Sequence, residues 1–256
     1  MDFARGYKIS INPIGLVGPG ALIYTKKVHH HLDMIHSTKV GRTLLDCIRF
    51  HGLSVEISPY TGSGCNSGGG WNTVAGQRRG YANYSPDTFG PHGACTPAVG
   101  TSARLGQEIL FHELIHAFRG VSGKWTNQPN LTRYENTEEF LAVFITNIFI
   151  SDKSNKTRSS LRADHSDFKP LAADFSTPFS FFESSTLVLP LVKQFIVDNH
   201  GLATMLANRA SDAPFNPISD FYASPDRAEE ASKKAVVRDL REVGAALSAW
   251  TSRVFH

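Results

Sequence analysis

Leu110-Phe111-His112-Glu113-Leu114-Ile115-His116-Ala117-Phe118-Arg119-Gly120 is the stretch from which the rest of this 256-residue chain is read. Its apolar positions predict a helix, capped by Thr101 or Ser102, running to about Arg119 and stopped by Gly120. Glu108, His112, His116 and Arg119 then share one polar face, while Leu105, Ile109, Leu114, Ile115 and Phe118 are available to a core. Residues four apart lie one turn above each other, so the imidazoles of His112 and His116 can reach a single metal ion at about 2.0 to 2.1 Å. Glu113 is rotated by about 100° from His112, which leaves its carboxylate beside such an ion rather than on it.

With 11 His in the chain, a shuffled sequence would carry His-Glu-x-x-His about 2% of the time, so the pattern leans on its helical context. The competing interpretation is two incidental histidines on a solvated helix face. Catalytic zinc commonly takes three protein ligands and a water. A third His six residues after His116 is absent: position 122 is Ser, and Arg119 stands where that longer pattern needs Gly. The next donors are the acids of Tyr134-Glu135-Asn136-Thr137-Glu138-Glu139-Phe140, at the start of a second predicted helix reaching Ile150. That helix is apolar nearly all round and should be central. The face of Glu139 continues through Val143 and Thr146, with Asn147 adjacent. The face of Glu138 continues through Ala142, Ile145 and Phe149. The more polar side favours Glu139 as third ligand, with Glu138 as its competitor. A different use of Glu139 is a capping box, reaching back to Asn136.

Leu110 to Gly120 followed by Glu138-Glu-Phe-Leu-Ala142 resembles gluzincin-type metallopeptidases of bacterial effectors and toxins. These include type III effector metallopeptidases and the metallopeptidase domains linked to type VI spike proteins. The resemblance spans about residues 35–165, including Leu161-Arg-Ala-Asp-His165. It implies a zincin-like fold, with His112, His116 and Glu139 as ligands of Zn2+ and Glu113 as the catalytic general base. It also implies a protein or peptide substrate, and an immunity protein or delivery-system component as further partners. Secretion would be by a specialised bacterial system, with action in a target cell. In lethal-factor-like gluzincins the ligand Glu opens a Glu-Phe-Phe-Ala-Glu run whose second Glu supports a ligand His. Here the run ends in Val143, which can neither donate nor accept, so that support must come from elsewhere or be absent.

The remaining sequence sets the frame. The fold class expected is α+β: a strand-bearing amino-terminal part packed on a mainly helical core, in one domain over 1–256 with a helical part from about 185. Residues 38–51 predict a helix stopped by Gly52, Leu53–Pro59 a strand, and Gly80–Ser85 a second short strand. Thr61–Gly70 reads as a loop, too rich in Gly for a ladder, and without the Lys-Ser/Thr ending of a P-loop. Residues 151–160 read as a loop, and further helices are expected at about 187–208 and 225–253, the latter amphipathic. His29-His30-His31 reads as a solvated turn or helix start, and Trp71 and Trp125 as packing or cleft walls. Tyr134, Arg162, His165 and Tyr222 are candidates to stabilise a developing oxyanion.

The formal charge of +3 comes without a stripe of Lys and Arg, which argues against nucleic acid as a partner. The most apolar run, Ile14–Ile23, is too short to cross a membrane, and the segment from Met1 to Lys8 does not read as a secretory signal. Of the three cysteines, Cys47 fits a buried small hydrophobe, whereas Cys65 and Cys95 could meet as a disulfide. Two other functions fit the same residues: a zinc amidase acting on cell-wall peptides, and a non-catalytic protein whose zinc ties two helices.

Overall fold

The structure is a computed structural model, and it describes residues 6–62, 64, 66–89, 95, 105–129, 134–154, 161–162 and 188–254, with only the backbone for 154 and 246–254. It is mixed α/β, mainly helical, with a small four-stranded sheet among the described residues. Strand β1 (Ile9–Ile11) leads into helices α1 (Gly18–Ser37) and α2 (Lys39–Phe50), then into β2 (Val55–Ser58), β3 (Gly68–Val74) and β4 (Gln77–Asn83). The chain continues through α3 (Gly106–Val121), α4 (Thr137–Ser154), α5 (Val188–Asp198), α6 (His200–Arg209), α7 (Pro217–Tyr222) and α8 (Pro225–Val254).

Thr38 makes the corner between α1 and α2. Its hydroxyl donates to the Ile35 carbonyl and accepts from the Gly41 N–H, both at 2.9 Å. A Cβ on Gly41 would lie 1.9 Å from the Ile35 oxygen, so only glycine lets the corner close. The expected face of α2 is buried through Leu44, Leu45 and Ile48, and Gly52 follows it at φ +63°. Cys47 is buried and free, as anticipated. Burial pushes its thiol up to about 12.

The sheet order is β1-β2-β4-β3, parallel except for the β3–β4 pair. Here one expectation fails. Gly68, Gly69 and Gly70 are strand residues paired with Asn83, Ala82 and Tyr81. At Gly69 the lack of a side chain is what admits the strand, because β3 runs against α3 there. A Cβ on Gly69 would lie 2.3 Å from the Glu113 carbonyl oxygen.

α3 is buried along its whole length, polar residues included. Its predicted polar face is thus an interior face, and each of its charges needs a partner. Gly120 lies inside the helix rather than after it. A Cβ there would sit 2.2 Å from Cδ1 of Trp71, so Gly120 is a seat for that ring. The proposed caps Thr101 and Ser102 lie outside the described residues. Leu105 precedes the helix, and its N–H donates to the Glu108 carboxylate at 3.2 Å. α4 is central, as its all-round apolarity required, and continues to Ser154 rather than ending at Ile150.

The expected helix at 187–208 is broken at Asn199, whose side chain donates to the Phe195 carbonyl. His29–His31 lie within α1, not at its start; the Tyr84 hydroxyl meets His31 Nδ1 at 2.8 Å. α8 rests on the body through Ala231 and Ala235, while Val236, Leu240 and Val243 are exposed. Cys95 is disulfide-bonded, and Cys65 lies outside the described residues. No helix among the described residues is long and apolar enough to cross a membrane.

Candidate metal centre

α3 and α4 pack against each other, and their facing polar residues meet in the interior. His112 and His116 project from one face of α3 with their Nε2 atoms 3.0 Å apart. The Oε2 atom of Glu139 closes a triangle with them, 3.2 Å from His112 Nε2 and 3.1 Å from His116 Nε2. Bonds of about 2.05 Å in a tetrahedral site place neighbouring donors roughly 3.3 Å apart, so the triangle is close to the size a zinc ion requires. Two imidazoles and one carboxylate are also a donor set suited to that ion. These three are the metal-capable group of His, Cys, Asp and Glu side chains among the described residues.

Half of the capping box envisaged for Glu139 is present. Its backbone N–H donates to Asn136 Oδ1 at 3.0 Å, which caps α4. Its carboxylate faces the histidines. Burial alone would push this carboxyl up, yet the contacts with His112 and His116 hold it well below the usual carboxylate range. Burial lowers His112 to about 3. It works against charge on His116 too, but Glu138 and Glu139 outweigh it and raise that imidazole to about 10.

Glu138 points the other way. It is fully buried and takes a fork from Arg119, with Nε 2.8 Å from Oε1 and Nη2 2.9 Å from Oε2. The Thr126 N–H donates to Oε2 at 3.3 Å. Oε1 also lies 3.4 Å from Nδ1 of His116. Burial raises the Glu138 carboxyl, but His116 and Arg119 reverse the shift and hold it low. On the far side, Thr146 donates to the Ala142 carbonyl at 2.7 Å, so its oxygen accepts from Nδ1 of His112 at 3.5 Å.

Glu113 stands outside the triangle, as its rotation on α3 requires. Ser67, just before β3, donates to Glu113 Oε1 at 2.6 Å. Trp125 packs against His116, with ring centroids 5.4 Å apart. Of the oxyanion candidates, buried Arg162 is close enough for its charge to act on His112. Asn147 pins its backbone to α4 through two bonds of 2.8 and 2.9 Å. Tyr134 packs edge-on against Phe140, and Tyr222 is engaged with His200 on the α6–α7 side. His165 lies outside the described residues.

Sequence reasoning missed Ser67 and the Arg119–Glu138 pair. Arg119 carried a signal: an arginine one turn from His116 on a helix that proves buried must find an acid. Ser67 carried none, because its position depends on the pairing of β3. Comparison of the chain with family models, with curated proteins and with solved structures returns no match.

Proposed function

We propose that this protein is a zinc-dependent endopeptidase with a zincin-like core. The observation that carries the proposal is the His112–His116–Glu139 triangle with Glu113 beside it and outside it. A structural zinc site is usually closed by four protein ligands, whereas a catalytic one keeps a position open. Among the described residues the cluster supplies three donors. When bound, the metal would supply Lewis acidity and lower the pKa of a water molecule. The chain's own part begins with Glu113, which takes the proton of the attacking water and passes it to the leaving amine. Ser67 holds one oxygen of Glu113 and so fixes where the other points. Arg162, whose charge acts on His112, is a candidate to offset negative charge developing on the substrate.

A peptide substrate is favoured over a smaller amide by the position of β3. Among the described residues it is the last strand of the sheet, and Gly69 brings its backbone against Glu113. An extended peptide added along that edge would present its backbone to the metal centre. The resemblance of the α3 and α4 motifs to bacterial effector metallopeptidases supports delivery by a specialised secretion system and a protein target in another cell.

The test is metal analysis of the purified protein and its Glu113→Gln variant, combined with hydrolysis of a peptide library. Expected are about one zinc per chain in both proteins and a loss of about 100-fold or more in rate for the variant. No zinc after reconstitution, or full activity in Glu113→Gln, would overturn the proposal. Cleavage of cell-wall fragments without cleavage of peptides would favour the amidase.

A further inference from the structure

We propose that Glu138 and Arg119 are the positioning pair of His116, supplying from an unexpected place the support that Val143 cannot give. This rests on the metal centre proposed above and concerns residues that touch neither metal nor substrate. A histidine that binds a metal through Nε2 must carry its proton on Nδ1, and a partner that accepts this proton fixes both tautomer and ring orientation. Glu138 Oε1 is that acceptor, at 3.4 Å. A carboxylate alone in the interior would be costly and free to rotate. Arg119 removes both problems, because its planar fork engages both oxygens and neutralises them.

Arg119 is held in turn. Its Nη2 donates to the Lys124 carbonyl at 2.7 Å, and the Thr126 N–H adds a bond to Glu138. The same turn carries Trp125, whose ring lies against His116. The segment after α3 therefore clamps the pair that clamps the imidazole. His112 is supported differently, by the neutral hydroxyl of Thr146 at a longer distance. The two histidines are thus held differently: a buried ion pair stands behind His116 and the Thr146 hydroxyl behind His112.

The experiment measures zinc affinity by chelator competition, the visible spectrum of the cobalt-loaded protein, and thermal melting of the metal-free protein. Glu138→Gln, the double variant Arg119→Met with Glu138→Gln, and Thr146→Val are compared with wild type. The double variant leaves no unpaired charge inside, so it carries the test if Glu138→Gln alone does not fold. Expected for the double variant are a cooperative melt, zinc binding about 10- to 100-fold weaker and a displaced cobalt band. Thr146→Val should weaken zinc less. Wild-type affinity and an unchanged cobalt spectrum in the double variant would overturn the positioning role while leaving the metal centre intact. Absence of metal binding in wild type would overturn both.

Discussion

Glu138 and Glu139 are neighbours in the chain, yet their carboxylates meet opposite edges of one imidazole. Glu138 Oε1 lies 3.4 Å from Nδ1 of His116, and Glu139 Oε2 lies 3.1 Å from its Nε2. Successive helix positions diverge by about 100°, enough to separate a ligand from the residue that orients its partner. His116 sits between the two acids, with Arg119 behind one of them and His112 beside the other.

Removing the carboxylate on the Nε2 side should empty the site. Glu139→Ala leaves two imidazoles with no anionic donor, and metal analysis after dialysis should find little zinc where wild type retains it. Full zinc content in that variant would show that Glu139 is not the third ligand.

Ser67 should matter through Glu113. Ser67→Ala removes a 2.6 Å hydrogen bond to a carboxylate, and such bonds favour the charged form. Its loss should move the acidic limb of the pH–rate profile to higher pH and lower kcat about 10-fold, with zinc content unchanged. An unaltered profile would mean that Ser67 has no hold on the base.

Gly120 is a packing position. Alanine there gains about 1 kcal/mol of helix propensity, but its Cβ would press on Cγ and Cδ1 of Trp71 at 2.8 and 2.2 Å. Those atoms are near the root of the side chain and cannot swing aside cheaply. Overpacking of this kind costs about 1 to 3 kcal/mol, so Gly120→Ala should be net destabilising. A melting temperature equal to or above wild type would contradict that.

His31 should make the fold acid-sensitive. Burial first, and the charge on His30 second, lower it to about 4 from an ordinary 6.5. Its neutral form is therefore favoured by folding, and its contribution is complete above pH 6.5 and lost as pH falls towards 4. Between pH 7 and pH 4.5 the linked loss is about 2 kcal/mol. His31→Gln keeps an acceptor for the Tyr84 hydroxyl without the titration. In urea unfolding at both pH values it should lose about that much less than wild type. Equal losses would assign the acid sensitivity to other groups.

What the sequence by itself determined is local. The helical period put His112 and His116 on one face and Glu113 off it. The alternation of Val55 to Ser58 made a strand, and the apolar surface of residues 137–150 made a central helix. What only the tertiary structure decided depends on long-range placement. Glu138 and Glu139 differ by one step around α4, and which one faces the histidines is set by the rotation of α4 against α3. Burial of Arg119 fixes that rotation, because the interior requires an acid beside it. Gly68–Gly70 form a strand because β4 pairs with them, an energy their composition does not contain. The role of Ser67 follows from that pairing. Gly120 reads as a stop when the helix is considered alone, and as a seat for Trp71 once β3 lies across it.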